Sequence, residues 1–302
     1  MSLLVVDAGN TAVKWAISDR SDLRFVGSGV QGHVATADLQ AQLTAVWAPL
    51  TPTAFYGISV ADPGVVRAIE RAAHSAGGLP VTWFATQRHF EGRGAAHAAA
   101  LLNGYRDPAQ LGTDRWHGMI AACAKYPDES LVIVSAGTAT TVDCVRAGPL
   151  AAAVFVGGVI APGFDLMRLA LARGTARLPL VEEAAVTAAP LAHPATTEEA
   201  IATGVLFAQL GLVENVVRQF SDELKQAQKA PPRLLLTGGR RRYLLGVLTR
   251  SLLAGRSVSA LALEDGLALR GAALRALSEE AAAQPSETTA GPAAPGATAA
   301  VR

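Results

Sequence analysis

Asp7, Gly9, Asn10, Thr11 and Lys14 fall within one eight-residue span, so an acid, an amide, a hydroxyl and a cation gather around a residue with no side chain. That set suits a phosphate group. Without a Cβ, the backbone N–H groups beside a glycine can approach phosphate oxygens; the hydroxyl adds a neutral donor and the lysine adds charge. A plain hairpin uses the same Gly and Asn, so this turn alone does not decide. The span has an echo, however. "VVDAGNTAVKWAI" (5–17) is matched by "IVSAGTATTVDCV" (133–145), where Gly137, Thr138 and Thr140 stand at the second turn. Two matched copies favour a nucleotide over a pair of ordinary hairpins.

Such turns need strands to carry them. Each copy reads as an apolar strand, a glycine turn and an alternating antiparallel partner. Between the copies, "VVRAIERAAHSAG" (65–77) and "TDRWHGMIAACAKY" (113–126) have helical spacing, while "AFYGISV" and "VTWF" read as strands. Beyond them come a strand near 152–159, helices near 165–172, 197–224 and 243–254, and a strand at "RLLLTGG". The economical reading is an α/β protein of two similar halves facing across a cleft, residues 1–125 and 126–278. From Glu279 onward the Ala, Pro, Thr and Gly composition lacks apolar periodicity, and residues 279–302 are expected to form a disordered tail.

Composition narrows the function classes. With 302 residues and 50% apolar content, the chain has enough material for one large or two medium domains. Its 26 Lys and Arg nearly cancel 25 Asp and Glu, which provides no overall field to hold nucleic acid or an anionic membrane. Two cysteines without CxxC spacing, and no secretory leader, point to the cytosol rather than a disulfide scaffold or zinc site. The apolar stretch Leu150–Phe164 is too short, and too broken by Gly157, Gly158 and Pro162, to span a membrane. Neither the P-loop nor the dinucleotide G-x-G-x-x-G pattern occurs.

Paired phosphate hairpins across a cleft resemble the actin, sugar kinase and Hsp70 superfamily. That resemblance implies two actin-like (ribonuclease H-like) halves around a nucleotide cleft, with Mg²⁺ held at the acid ending the first strand, here Asp7. It also implies a glycine pair against adenosine, for which "TGG" offers Gly238 and Gly239; a simple strand-to-helix turn uses the same residues. Arg240, Arg241 and Arg242 either face solvent or approach phosphates.

The motifs "DAGNTAVKW", "YRDPAQLGTDRWHGMIAA", "SAGTATTVD", "GGVIAPG", "TTEEAIATG" and "TGG", in this order from Leu3 to about Gly271, are similar to those of the type III pantothenate kinases, the Bvg accessory factor family. The resemblance implies ATP-dependent phosphorylation of pantothenate, the first step toward coenzyme A, by a homodimer. It assigns Asp7, Gly9, Asn10, Thr11 and Lys14 to ATP phosphates and Mg²⁺, and Thr138 to ATP. It assigns Tyr105, Gly112, Thr113, Asp114 and Arg115 to pantothenate, with Asp114 as catalytic base. Thr197 completes the pocket, with Thr196 as an adjacent rival. The chemistry agrees: phosphoryl transfer needs positioning and charge neutralisation, and a planar guanidinium suits a carboxylate. Yet Asp114 also fits a helix start, where first-turn acids are ordinary.

One departure stands out. The family's second turn begins with an acid that ligates K⁺ or NH₄⁺, and here that position is Ser135, which supplies oxygen without charge. A regulatory, Bvg accessory-type protein with little kinase activity is the reading from another class; near-zero net charge and the lack of a helix-turn-helix pattern count against direct DNA binding.

Overall fold

The unbroken apolar run before Asp7 has its reason in β1 (Ser2–Ala8), a strand buried on both faces. In the computed structural model, which describes residues 2–19, 24–32, 36–93, 100–149, 152–187 and 192–283, β1 pairs antiparallel with β2 (Ala12–Asp19), which carries β3 (Phe25–Gly32). On its other edge β1 runs parallel to β4 (Ala54–Ser59), which carries β5 (Val81–Trp83). Leu4, Val6 and Ala8 pack on α1 (Thr36–Trp47) and α2 (Pro63–Gly77) through Leu39, Leu43, Val65 and Ile69. Leu3 and Val5 face the other way, onto Leu269, Ala272 and Ala276 of α8 (Leu267–Ala283). Helix α2 carries both of its boundary signals. The Asp62 side chain accepts the Gly64 N–H at 2.7 Å, Pro63 occupies the first turn, and Gly78 ends the helix at φ +67°.

The second sheet repeats this plan. β8 (Leu131–Ala136) pairs antiparallel with β9 (Ala139–Ala147), which pairs antiparallel with β10 (Ala152–Pro162). On its other edge β8 runs parallel to β11 (Arg233–Thr237), and β11 to β12 (Ala260–Leu263). Val132 and Val134 face Leu206, Leu210 and Val213 of α6 (Thr197–Gln226) and Leu244 of α7 (Arg241–Leu248). Leu131 and Ile133 face Trp116 and Ile120 of α3 (Thr113–Lys125). Alternate residues of one strand thus build two separate cores, as a doubly covered sheet requires. Helix α6 is long and apolar enough to span a membrane, but half of its most apolar window is buried in the protein.

Two features differ from the expected division. β6 (His89–Glu91) and β7 (Ala100–Asn103) join the second sheet by parallel pairing of β7 with β10, so sheet membership changes between Trp83 and His89 rather than at residue 125. Separately, α8 continues through Glu279–Ala283, the first five residues of the expected tail. Arg275 Nε bonds Glu279 at 3.0 Å, and the Tyr56 hydroxyl donates to Glu280 at 2.9 Å, so these residues are anchored to the first sheet. Residues 284–302 lie outside the described ones. Helices α3 and α8 cross closely enough that a Cβ on Gly271 would stand 1.7 Å from the His117 carbonyl oxygen. That crossing joins the core of the second half to the helix packed on the first.

Candidate active site

The register Asp7↔Lys14 and Ala8↔Val13 leaves Gly9 to Ala12 as the first turn; Ala136↔Thr140 leaves Gly137 to Ala139 as the second. In both, the glycine N–H donates across the turn, Gly9 to Ala12 and Gly137 to Ala139, each at 3.1 Å. The two turns meet: the Thr11 and Thr138 hydroxyls are 2.7 Å apart. Asn10 is exposed on the first turn.

Behind the turns lies a cleft of about 540 Å³, lined by Asp7 and Lys14 of the first half and by Asp114, Arg115, Ser135, Asp143, Gly238 and Gly239 of the rest. Gly238 sits at φ +86°, where a Cβ would come within 2.4 Å of the Ala136 carbonyl oxygen, so only glycine brings this strand end against the second turn. Of the arginine run, Arg241 reaches the cleft and pairs with Asp265, Arg240 pairs with Asp165 and Glu183, and Arg242 is exposed.

Asp114 projects from the first turn of α3, whose Gly112 start carries no side-chain cap. A Cβ on Gly112 would stand 2.7 Å from Asp114 Oδ1, so this glycine leaves room for the carboxylate. Thr113 donates its hydroxyl to the Ser59 carbonyl at 3.1 Å, fixing the helix start to the end of β4. One turn on, His117 donates Nδ1–H to the Thr113 carbonyl at 2.7 Å, and burial pushes its imidazole down to about 3. Its role is to stay neutral in the core, stacked on Phe84.

Four acids line the cleft, and their partners sort them. Asp265 is paired with Arg241 and Asp143 with Arg115, while among the described residues the ion-pair partner of Asp7 is Lys14, at 4.0 Å. Burial pushes the Asp7 carboxyl up to about 6; Lys14 opposes the rise and Asp114 adds to it. Among the described residues Asp7 and Asp114 are thus the cleft acids without an arginine partner. Among the described residues no three His, Cys, Asp or Glu side chains cluster as a metal site.

The raised carboxyl of Asp7 has a measurable consequence. Its native value of about 6 exceeds the ordinary 3.8, so between those pH values the folded chain binds more protons and loses stability as pH rises, about 3 kcal/mol in all. Asp7→Asn removes that loss. Without Mg²⁺ or nucleotide, the variant is expected to melt above the unaltered chain at pH 8, with the gap closing toward pH 4. A gap independent of pH would refute the assignment.

Arg115 meets a carboxylate of its own chain. The carboxylate it grips is internal: Nε stands 3.1 and 3.2 Å from the two Asp143 oxygens and Nη2 also bonds Asp143, with both side chains nearly inaccessible. Burial works against the Arg115 charge, but the bonds to Asp143 outweigh it and hold the guanidinium more firmly protonated than in water. Nη1 donates to the Tyr105 hydroxyl at 3.3 Å, which ties Tyr105 to the same site. A Cβ on Gly158 would lie 2.4 Å from Asp143 Oδ1, so "GGVIAPG" carries a glycine where the pair needs space. An acid inside the apolar strand "TTVDCV" is the sequence signal that marks Asp143.

The threonine pair at α6 separates. Thr196 caps the helix, accepting the Glu199 N–H at 3.2 Å while Glu199 returns bonds to the Ala195 and Thr196 N–H groups. Thr197 begins the helix proper, and neither residue lines the cleft.

The sequence profile of the type III pantothenate kinases matches residues 3–219. The chain belongs to that family. Type III pantothenate kinases from Cupriavidus taiwanensis and Herminiimonas arsenicoxydans are 37% and 39% identical to it, over 81% and 72% of this chain and 90% and 79% of theirs. The fold is the actin-like sugar kinase arrangement. A candidate N-acetylmannosamine kinase from Listeria monocytogenes superposes with a TM-score of 0.51 at 13% identity, covering 93% of this chain and 100% of the other. A candidate 2-dehydro-3-deoxygalactonokinase from Sinorhizobium meliloti gives 0.50 at 14%, covering 95% and 99%.

Proposed function

We propose that this chain transfers the γ-phosphoryl group of ATP to the primary hydroxyl of pantothenate, giving 4′-phosphopantothenate and ADP. The carrying observation is that Asp7 and Lys14 share one cleft with Asp114, while the two glycine turns touch at Thr11 and Thr138. Phosphoryl transfer asks for that arrangement, with donors and a cation for the phosphates and one free carboxylate for the acceptor.

In this reading the pantothenate hydroxyl oxygen attacks the γ-phosphorus, the bond to the ADP oxygen breaks, and the hydroxyl proton passes to Asp114. Lys14 and the turn N–H groups offset the charge on the phosphates, and Gly238 and Gly239 give adenosine a flat approach. A guanidinium has five N–H groups, and the contacts to Asp143 and Tyr105 use three, which leaves two for the pantothenate carboxylate. Asp7 would hold Mg²⁺, which supplies charge neutralisation to the phosphates. A tight monovalent cation site fits less well. Ser135 and its register partner Thr141 offer neutral oxygens, and Asp143, farther along that face, is committed to Arg115.

A homodimer is part of the proposal. Ile160 of β10, Leu166 and Phe207 are exposed apolar side chains on elements that meet where Gln209 donates to the Pro162 carbonyl at 2.8 Å. Such a face suits a second copy, which could bring Thr197 to the acceptor. Buried, unpaired Cys123 and Cys144 suit the cytoplasm.

A coupled ADP-release assay with Mg-ATP and pantothenate, run separately in sodium, potassium and ammonium salts, tests the reading. Pantothenate-dependent turnover that changes little among the three salts is expected. Failure to turn over under any cation would overturn the kinase; strict potassium dependence would overturn the reading of Ser135.

A further inference from the structure

The second phosphate turn is gripped from behind by two helix starts. Gly163, just ahead of α4 (Phe164–Gly174), donates its N–H to the Thr138 carbonyl at 3.0 Å, and Arg240, just ahead of α7, donates its N–H to the Ala136 carbonyl at 3.0 Å. Both approaches exclude side chains: a Cβ on Gly163 would stand 2.3 Å from the Gly137 oxygen, and one on Gly238 2.4 Å from the Ala136 oxygen. The carbonyls on either side of Gly137 are therefore tied back to the helices, while the Thr138 hydroxyl meets Thr11.

Side chains then join the two helix starts to each other. Arg240 Nη2 lies 2.9 Å from Asp165 Oδ2 on α4 and 2.9 Å from Glu183 Oε2 on α5 (Glu183–Thr187), and Nη1 lies 2.6 Å from Glu183 Oε1. Arg168 holds the other Asp165 oxygen at 2.8 Å, and the Tyr243 hydroxyl donates to Glu183. The Arg240 bonds to Asp165 help hold that carboxyl below its usual range against the opposing effect of burial.

We propose that Arg240 is a positioning residue for the nucleotide: by bridging α7 to Asp165 and Glu183, it holds the second phosphate turn in register with the first. The inference rests on the kinase reading and adds a residue that does not line the cleft. Arg240 touches no reacting atom and acts through the backbone it braces. The bridge is partly solvated, with Arg240 29% and Asp165 40% exposed, so it adds little to overall stability. A small displacement of a phosphate-binding turn, by contrast, weakens binding directly.

Calorimetric titration of the full chain with Mg-ADP, alongside the KM for pantothenate, tests this. Arg240→Gln is expected to weaken Mg-ADP binding about fivefold, with an unchanged melting temperature and pantothenate KM. Asp165→Asn should reproduce the loss, and the double variant should be no worse than either single one, because each acts through the same bridge. Arg242→Gln removes the same charge from an exposed neighbour and should change nothing. Unchanged Mg-ADP affinity in Arg240→Gln, or an equal loss in Arg242→Gln, would overturn the proposal alone. Absence of Mg-ADP binding by the unaltered chain would overturn the kinase reading and the proposal with it.

Discussion

Asp114→Asn is expected to lower kcat for pantothenate phosphorylation by about three orders of magnitude, the usual range for loss of a general base. Mg-ADP affinity and folding should survive. The argument for this residue is one of availability: Asp143 and Asp265 are each paired with an arginine, and Asp7 stands at the end of the strand that leads into the phosphate turn. Asp114 alone among the four cleft acids sits on a helix start, with Gly112 leaving space beside its carboxylate. Asparagine keeps the shape and can still accept the Arg115 N–H that Asp114 Oδ1 accepts at 2.8 Å. Removing the charge from the first helical turn costs only about 0.5 kcal/mol. Steady-state kinetics beside a thermal melt check this. Turnover within tenfold of the unaltered chain would remove Asp114 from the chemistry.

What the sequence made legible were the local features. β1, α2, α3 and both glycine turns are written in short-range code: apolar period, Asp62-Pro63 at a helix start, Gly9 and Gly137 between strands. The second half was recognisable because it repeats the first. Pairing across long separations was not legible. β6 and β7 are only three and four residues long, and what places them is β10, some fifty residues on. The helical stretch Glu279–Ala283 has no apolar period to reveal it, because it is held by ion pairing and by Tyr56, 224 residues away from Glu280. Arg115 pointed to a substrate carboxylate, and a single sequence could not say that Asp143 of its own chain also pairs with it.

That internal carboxylate gives the largest expected change in stability. Asp143→Ala should destabilise the fold by about 3–5 kcal/mol, because it strands a buried guanidinium with no counter-charge. Arg115 is 9% and Asp143 2% exposed, so water cannot readily replace the lost partner. The Tyr105 hydroxyl remains as an acceptor and the faces of Tyr105 and Phe155 lie 5.9 and 5.8 Å from the guanidinium, but neither carries a formal negative charge. The cost belongs to the stranded charge rather than to the bond, so removing both charges should relieve it. Arg115→Met with Asp143→Leu is expected to unfold at higher urea than Asp143→Ala alone, while losing pantothenate turnover. If the double variant proved no more stable than Asp143→Ala, packing around the pair, and not its charge balance, would be what holds this wall of the cleft. Retention of both charges in the native chain, despite a desolvation cost that apolar residues would avoid, fits a site that must present a fixed guanidinium to an acidic acceptor. If Arg115 receives the acceptor as proposed, Asp143 would hold its guanidinium in place, and the N–H groups left over would be the ones that meet the acceptor.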